Sequence, residues 1–591
     1  MSDYQQKIYQ ENIQTNKVKV KGLETKRNLL ATIRIAVFLI TLILVVYWAN
    51  ARETWWLLGS LLVGTVVFIV FLDRFIQVTS KWGYHQSLVK INEEEVLRLN
   101  QALKDENRGG AWEIASDHPY VYDLDIFGKR SLFMLLNRCS TLLGQKKLAN
   151  WLKSKATQSE ILERQEAVKE LAPLLAWRQD FQAQGMQEKS KEENFNGLLS
   201  WLKEFDDEFV GKLMAIGSKV APLISLVGVV TYIFTDLPLS VLVLSQLANI
   251  LLIQRTAKKI TVAVEKTDDS VKALKTFARL MAEFEGQSFK SKRLQLLQAK
   301  LTQNHSGSLA IAQLSKILYH LEMRKNVYFY LLVNVFLLYD LQWMIALEKW
   351  KRNYAEYVGD WLEVIAEVEA LQSMAGFAFS NDAYVFPLIS DREFTIKATQ
   401  IGHPLIAKES RVCNDYTLQG KGKTAIITGS NMSGKSTFER TLGVNMVLAF
   451  AGAPVCAQAF EVSLVDIFTS MRVQDSLEEN VSGFYAELRR IQQLLERLKA
   501  PGATPVFYLL DEILKGTNSK DRQNGAKALI HQLAKMPAFG LISTHDLELG
   551  ELADQFPDLV ENFSFNSRIE DGKLAFDYTI SNGLCHSFSA T

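Results

Sequence analysis

Residues 424–437 read TAIITGSNMSGKST, and this stretch decides the fold of the C-terminal third of the chain. The β-branched run at its start predicts a buried strand, and the G-x-x-x-x-G-K-S motif that follows predicts a phosphate-binding turn into a helix. Gly429 and Gly434 let backbone N–H groups close around phosphate oxygens, because no Cβ stands in the way. Lys435 would reach the β- and γ-phosphates, and the hydroxyl of Ser436 would hold Mg²⁺. The alternative is a glycine-containing turn that binds nothing.

Two further apolar runs end in side chains suited to hydrolysis. Residues 506–510 (VFYLL) predict a strand that ends at Asp511 and Glu512, and residues 541–544 (LIST) predict one that ends at His545. Ligands bind at the carboxyl ends of strands in such sheets, so these side chains should lie near the loop. Asp511 would hold Mg²⁺ through water, Glu512 would act as general base, and His545 would contact the γ-phosphate or the attacking water. The alternative for Asp511 and Glu512 is that they cap the N-terminus of a helix, and the alternative for His545 is a purely structural role.

The overall composition excludes a uniformly basic protein. The 591 residues include 66 Lys and Arg against 65 Asp and Glu, which gives a formal net charge of +1. No global positive field therefore indicates nucleic-acid binding, although a local basic groove stays open. The four cysteines form no C-x-x-C pair and have no metal-ligand spacing, which indicates reduced thiols in a cytosolic environment.

Two pairs of apolar runs predict transmembrane hairpins. The first pair covers residues 35–48 and 55–72, and Lys and Arg residues before it place the N-terminus in the cytoplasm by the positive-inside rule. The second pair covers residues 220–234 and 237–253, again with basic residues on its cytoplasmic flanks. A buried helical hairpin in a soluble core is the alternative for each pair. A multi-pass membrane protein with its C-terminal domain in the cytoplasm is the expected localisation.

The rest of the N-terminal half reads as helical. Apolar residues recur every three or four positions in residues 93–107, 132–156, 158–175, 268–301 and 309–325. A third apolar run, 327–345, predicts a packed soluble helix, because an unpaired Asp340 would be costly in lipid. From about Phe394, short β-rich runs take over.

These patterns divide the chain into three parts. Residues 1–78 are expected to form an N-terminal tail and the first hairpin, and residues 79–380 a helical domain with the second hairpin at 219–254. Residues 381–591 are expected to form an α/β P-loop domain. The predicted fold class is thus a C-terminal α/β P-loop NTPase domain preceded by an all-α lever or core domain and transmembrane hairpins.

The motifs resemble those of the MutS mismatch-repair ATPases. The loop, with its unusual Asn431-Met432 pair, is similar to the family's TGPNMGGKST. Further similarities are GHP at 402–404 to R-H-P, AGAPVCAQ at 451–458 to GSYVPA, DIFT at 466–469 to D-x-I-F-T, SGFYAE at 482–487 to S-T-F-x-x-E, DEILKGTNSKD at 511–521 to DEIGRGTSTYD, and STH at 543–545 to A-T-H. The LSGGQ-like run of other ATP-binding cassette proteins does not occur. The resemblance implies an ABC/MutS-type ATPase domain.

The resemblance also implies cofactors, site residues and partners. ATP would contact Gly429, Ser430, Asn431, Met432, Ser433, Gly434, Lys435, Ser436 and Thr437, together with Ser482 from the opposite subunit. Lys435, Glu512 and His545 would be catalytic, and Ser436 and Asp511 would bind Mg²⁺. The ATPase heads would pair in a homodimer.

Two departures from the family shape the functional hypothesis. A membrane hairpin stands where mismatch-detecting members carry their recognition domain, and Arg411 stands near where an aromatic residue stacks on adenine and would stack instead. The sequence predicts a membrane-anchored, MutS-like ATPase that binds and hydrolyses Mg·ATP and couples it to binding of mismatched or branched DNA. The alternative is a nucleotide-driven membrane machine or scaffold that acts on a membrane partner without DNA.

Overall fold

A computed structural model describes residues 2–103, 118–186, 195–235, 238–267, 270–303, 305–472, 483–502, 504–515, 517–570 and 573–585. The helices are α1 (Ser2–Asn50), α2 (Thr54–Leu99), α3 (Leu132–Leu136), α4 (Leu142–Lys153), α5 (Gln158–Leu171), α6 (Leu175–Gly185), α7 (Phe195–Leu202), α8 (Asp207–Val210), α9 (Lys212–Phe234), α10 (Leu239–Lys266), α11 (Ser270–Gly286), α12 (Lys292–Thr302), α13 (Gly307–Glu322), α14 (Val327–Phe329), α15 (Val335–Leu337), α16 (Tyr339–Tyr354), α17 (Val358–Ser380), α18 (Lys435–Ala451), α19 (Gly483–Lys499), α20 (Ser519–Ala534) and α21 (Leu552–Gln555). The strands are β1 (Leu388–Ser390), β2 (Thr395–Ile401), β3 (Asn414–Gln419), β4 (Thr424–Gly429), β5 (Ala459–Ser463), β6 (Asp466–Ser470), β7 (Val506–Asp511), β8 (Ala538–Thr544), β9 (Val560–Glu570) and β10 (Lys573–Asn582).

Helices α1 and α2 form a long antiparallel hairpin whose turn end is apolar and exposed. Within the described residues, α1, α2, α9 and α10 are long and apolar enough to cross a membrane, as judged by length and composition alone. None of the most apolar window of α1 or α2 is buried inside the protein. Leu62 is 68% exposed and Trp55 is 85% exposed, values typical of a surface that needs a partner or a lipid phase.

The other end of this hairpin is fixed to the helical body by a buried polar cluster. Glu95 on α2 accepts hydrogen bonds from Arg98 Nη1 (2.7 Å), Arg138 Nη2 (2.8 Å) and Ser380 Oγ (3.1 Å). The hydroxyl of Tyr9 on α1 lies 2.9 Å from Ser380 Oγ. Because Ser380 ends α17, which leads into the first strand of the α/β domain, the cluster joins the apolar hairpin to the root of that domain.

Glu95→Gln is expected to lower the free energy of unfolding at pH 7 by about 3–5 kcal/mol, because it removes a buried carboxylate that pairs with both Arg98 and Arg138. Burial alone would raise the pKa of Glu95, but Arg138 and Arg98 lower it to about 2. A depressed carboxyl pKa stabilises the fold above the unfolded value of 4.5, and this stabilisation is lost as the pH falls towards 2. Urea unfolding of the detergent-solubilised protein between pH 7 and pH 3 measures both effects.

Glu93→Gln is the matched control for this prediction, since Glu93 lies on the same helix in an exposed pair with Lys17 (2.8 Å). Exposed ion pairs contribute about 0–1 kcal/mol, so this variant should stay close to wild type. An equal loss in both variants would contradict the structural role assigned to Glu95.

The helical body is broken more often than the sequence predicts. The helical pattern predicted over residues 132–156 is interrupted in the structure, since α3 ends at Leu136 and α4 begins at Leu142. Glu369 on α17 fixes the break by accepting hydrogen bonds from the backbone N–H groups of Ser140 (2.7 Å) and Thr141 (3.2 Å). The helices expected over 158–175 and 268–301 are likewise divided, into α5 and α6 and into α11 and α12.

The single helix predicted over residues 327–345 is also wrong. A short helical segment runs through α14, a π-helical turn and α15, and it stops at Leu338, whose φ of +48° is left-handed. Helix α16 then begins at Tyr339. The premise that Asp340 is unpaired is wrong too, because Arg324 Nη1 lies 2.5 Å from Asp340 Oδ2.

The C-terminal part contains a four-stranded sheet of order β1-β5-β2-β3 and a six-stranded sheet of order β10-β9-β4-β8-β7-β6. In the larger sheet β4, β8, β7 and β6 are parallel, and β4, β7 and β8 are almost entirely buried, as expected of apolar strands covered on both faces. The three strands predicted from the sequence are confirmed as β4, β7 and β8. Register pairs Thr428 with Thr544 and Asp511 with Ser543, so the strands end side by side.

Candidate nucleotide-binding site

The loop between β4 and α18 has the backbone that its glycines predict. Gly434 has φ +111°, a left-handed conformation in which a side chain would be strained. A Cβ at this position would also lie 3.1 Å from Cδ1 of Tyr578. Helix α18 begins at Lys435, directly after Gly434, so the loop N–H groups and the helix N-terminus face the same space.

The ammonium group of Lys435 lies inside this loop. Lys435 Nζ donates to the carbonyl oxygens of Gly429 (2.7 Å) and Ser430 (3.0 Å). Burial lowers the pKa of Lys435, while Glu512 and Asp511 act in the opposite direction. An incoming phosphate could replace the two carbonyl groups as the partner of this cation, which is the role that the sequence predicts for it.

Ser436 and Asp511 meet at the position predicted for Mg²⁺. Ser436 Oγ donates to Asp511 Oδ2 (2.6 Å), and Ser543 Oγ donates to Asp511 Oδ1 (2.5 Å). A hydroxyl beside a carboxylate fits Mg²⁺, which takes oxygen ligands and completes its shell with water and substrate phosphates. Glu439, one turn further along α18, is fully buried, and burial followed by the charge of Asp511 raises its pKa well above the ordinary value.

Glu512 and His545 lie at the neighbouring strand ends. Glu512 Oε1 is 3.6 Å from His545 Nδ1, and Glu512 Oε2 is 2.7 Å from Lys515 Nζ. Burial alone would raise the pKa of Glu512, but the hydrogen bond and charge of Lys515 lower it, so the carboxylate is ionised at neutral pH. Glu512 has φ +51°, a left-handed conformation directly after the end of β7. An ionised carboxylate beside a half-exposed histidine suits general base catalysis.

Helix α19 holds the segment that follows Glu512, a contact that the sequence did not predict. The carboxylate of Glu487 accepts a hydrogen bond from the backbone N–H of Leu514. Burial raises the pKa of Glu487, while backbone N–H groups of Leu514 and Lys515 lower it. Ser482, the predicted contact in trans, lies outside the described residues. The similarity of residues 482–487 to a family signature was the signal that could have singled out Glu487.

Glu487→Ala is expected to lower kcat for nucleotide hydrolysis by about 10- to 100-fold, because the segment carrying Glu512 loses its anchor and small displacements of catalytic groups are costly. Nucleotide affinity should change little, since Glu487 is not among the described residues that line the cavity beside the phosphate loop. Glu496→Ala, an exposed position on the same helix, is the control. Steady-state hydrolysis and equilibrium nucleotide binding separate the two quantities, and equal kcat values for both variants would disprove the anchoring role.

A cavity of about 570 Å³ opens beside the loop, within the usual range for small-molecule sites. Residues 431–437 and Glu512 are among its lining residues. Phe565 and Tyr578 supply aromatic walls. Tyr578 has φ +55° and lies where the pairing of β9 with β10 shifts register, and Asn414 Nδ2 donates to its carbonyl oxygen (3.1 Å).

The stacking role predicted for Arg411 is not supported by this geometry. Its guanidinium donates to the carbonyl oxygen of Ile406 (2.6 and 3.0 Å) and to Cys456 Sγ (3.0 Å), and it lies 5.7 Å from the ring centre of Tyr384. Among the residues that the structure describes, Arg411 is not part of the cavity lining, whereas Tyr578 is. No sequence pattern indicated Tyr578, because it lies far along the chain from the loop that it contacts.

A sheet with a phosphate loop at the end of a central strand, and with carboxylates at the end of a parallel strand two positions away, defines a P-loop nucleotide-binding domain. Residues 425–590 match the family model of MutS domain V. This domain is therefore similar to domain V of the MutS proteins.

Curated relatives resemble only part of the chain. DNA mismatch repair protein MutS 2 of Halobacterium salinarum is 33% identical over 223 residues, which cover 37% of this chain and 25% of that protein. DNA mismatch repair protein MutS of Thermotoga maritima is 31% identical over 236 residues (39% and 29%), and that of Shouchella clausii is 33% identical over 243 residues (39% and 27%). The chain therefore matches between a quarter and a third of the length of these relatives.

Proposed function

We propose that this protein is a membrane-anchored ATPase that binds and hydrolyses Mg·ATP in its C-terminal domain. The observation that carries the proposal is the meeting of Lys435, the Ser436–Asp511 pair and Glu512 at one edge of one sheet. Measuring phosphate release by the purified, detergent-solubilised protein, with and without Mg²⁺, tests it directly. Absence of Mg²⁺-dependent turnover would contradict it.

Each group in the site has a defined task in this proposal. Bound Mg²⁺ would bridge phosphate oxygens and neutralise charge. Ser436 and Asp511 would hold that ion, and Lys435 would contact the β- and γ-phosphates. Glu512 would accept a proton from the attacking water, with His545 beside it. The aromatic face of Tyr578 would offer a stacking surface to the base.

The membrane anchor is supported by the exposed apolar helices. Helices α1 and α2 present their apolar windows outward, and basic residues precede the first window. The positive-inside rule then places the N-terminus, the helical body and the ATPase domain in the cytoplasm. Helices α9 and α10 would form the second hairpin, with 33% and 17% of their apolar windows buried. A membrane-separation experiment after alkaline extraction tests anchoring.

Head pairing is proposed from the family resemblance. Ser482 of one subunit would approach the γ-phosphate bound to the other, so the active form would be a homodimer. Sedimentation of the solubilised protein with and without a non-hydrolysable ATP analogue tests this. A monomer under both conditions would exclude nucleotide-driven pairing.

Coupling to DNA is proposed from the relatives, whose names describe DNA mismatch repair proteins. ATP would modulate binding of mismatched or branched duplex to the cytoplasmic part. Binding and ATPase assays with homoduplex, mismatched and branched DNA across a range of salt concentrations test it, because phosphate contacts weaken as salt rises. Binding no stronger than that of an unrelated protein of similar charge would refute it.

A second function, a nucleotide-driven membrane machine without DNA, is favoured by one specific observation. The cluster around Glu95 ties both helices of the membrane hairpin to the end of α17, which leads directly into the ATPase domain. Nucleotide-dependent motion of that domain would therefore reach the bilayer through continuous helices. Stimulation of ATP turnover by lipid vesicles and not by DNA would select this function, and the reverse would exclude it.

A further inference from the structure

An uncharged helical segment, residues 327–337 (VYFYLLVNVFL), lies beside the second hairpin. Charged residues bound it, with Arg324 and Lys325 before it and Asp340 after it. Eleven helical residues span about 16 Å, roughly half of a hydrocarbon core of about 30 Å. An apolar helix of this length suits either a protein core or a segment that enters one leaflet and returns.

The hydrogen bonds of the segment place it along α10. The charged residues that flank the segment lie near Ala257, because Arg324 Nη2 approaches the Ala257 carbonyl oxygen (3.5 Å) and Arg324 Nη1 pairs with Asp340 (2.5 Å). The far end lies at Asn249, whose Nδ2 donates to the carbonyl oxygens of residues 335–336 (2.9 and 3.1 Å). Asn249 precedes Ala257 by eight residues, or about 12 Å along a helix. The segment thus advances about 12 Å towards the hairpin tip and returns.

The chain reversal has its backbone groups satisfied by amide side chains. The helix ends at the left-handed Leu338, so the carbonyl groups of its last turn need donors from elsewhere. Asn249, which is fully buried, serves residues 335–336, and Gln342 Nε2 donates to the carbonyl oxygen of Leu337 (2.8 Å). Water could do this at an ordinary protein surface, but in lipid every backbone polar group must be satisfied within the protein.

Charged pairs mark the level at which the segment begins. Lys259 Nζ lies 2.8 Å from Asp206 and 2.6 Å from Glu208, and Arg255 also pairs with Glu208. These pairs flank Ala257 on α10, at the end of the hairpin opposite its tip. A ring of ion pairs at the foot of two apolar helices is where the headgroup region of a bilayer would lie.

Beyond this level the surface is apolar on all three helical elements. Leu337 is 44% exposed in the segment itself, close to the level of Asn249. The exposed side chains of the hairpin beyond that level include Leu223, Leu226, Val227, Ile233, Val243, Leu244 and Leu247. Tyr328, 80% exposed, sits near the charged ring, as interfacial tyrosines do. The segment and the hairpin therefore form one continuous apolar surface.

We propose that residues 327–338 form a re-entrant membrane segment that enters the cytoplasmic leaflet beside α9 and α10 and returns to the cytoplasmic side. Its partner is the acyl-chain region of a lipid bilayer. The proposal rests on the proposed membrane placement of the second hairpin. It replaces the packed soluble helix expected from the sequence, since the pairing of Asp340 with Arg324 removes the reason for excluding lipid.

Spin-label accessibility in phosphatidylcholine–phosphatidylglycerol vesicles tests the proposal on the full chain. A nitroxide is attached to a cysteine introduced by Leu337→Cys, Leu223→Cys, Leu309→Cys or Leu62→Cys, all at exposed positions, with the wild-type protein as background. Collision with oxygen reports lipid and collision with a nickel chelate reports water. Leu309 is the aqueous control, because it lies near the start of α13, far from Arg324.

The expected result is an oxygen-to-nickel ratio at 337 that is several-fold above that at 309 and similar to that at 223. A lipid value at 223 with an aqueous value at 337 would overturn the re-entrant segment and leave the second hairpin intact. Aqueous values at both 223 and 337 would overturn the segment together with the second hairpin. Position 62 reports the first hairpin separately, so failure of the membrane anchor is distinguishable from failure of this inference.

Discussion

Lys435→Ala is expected to lower the rate of ATP hydrolysis by about 10²- to 10³-fold. The substitution removes the cation of the phosphate loop that would stabilise the negative charge on the transferred phosphate in the transition state. Its ammonium already lies within the loop, held by the carbonyl oxygens of Gly429 and Ser430. Nucleotide affinity should fall as well, since the same group contacts the phosphates in the ground state. Phosphate release and equilibrium binding of a fluorescent ATP analogue measure the two effects.

Lys421→Ala is the matched control, because Lys421 is an exposed lysine in the turn before β4 and lies outside the cavity lining given by the described residues. It should hydrolyse ATP at the wild-type rate. If Lys435→Ala hydrolysed ATP at the wild-type rate, the activity would come from another part of the chain or from a contaminant. That result would contradict the assignment of the nucleotide site.

Glu512→Gln is expected to lower kcat by about 10²- to 10⁴-fold while leaving ATP binding intact, because the amide keeps the shape of the side chain and cannot accept a proton from water. The depressed pKa of Glu512 means that the wild-type carboxylate is ionised and ready as a base at neutral pH. If heads pair on ATP, this variant should also accumulate the paired, ATP-bound form. Single-turnover hydrolysis and sedimentation with ATP measure the two outcomes.

Glu561→Gln is the control for this variant, since Glu561 lies on β9, beside the start of β4, in a pair with Lys423 (3.2 Å). It should leave kcat unchanged. A Glu512→Gln protein that turns over ATP at the wild-type rate would require a different base.

The arrangement of the candidate site was largely predictable because its parts are short and contiguous. The phosphate loop is one run of residues, and the backbone of that run already determines where its N–H groups point. The strands ending at Asp511 and His545 are apolar runs, and parallel pairing brings their ends to one edge. Tyr578 could not be predicted, since it reaches the loop only through a register shift between β9 and β10.

The helix breaks could not be predicted for a related reason. The gap between α3 and α4 is held by Glu369, more than two hundred residues further along the chain. Apolar periodicity continues across such a gap, because both helices face the same core. Periodicity reports which face is buried and not where the backbone turns.

By itself, the sequence determined the P-loop, the strands beside it and the four apolar helices, because each depends on neighbouring residues: a motif, a run of one polarity, or a length. The tertiary structure alone decided how distant side chains pair. It joined Glu95 to Arg138 and Ser380 at the root of the C-terminal α/β domain, and it gave Asp340 its counter-charge in Arg324. The free-energy cost of burying a charged group depends on the partner that the fold places beside it. That partner is distant in sequence, so the residues next to the charged group do not identify it.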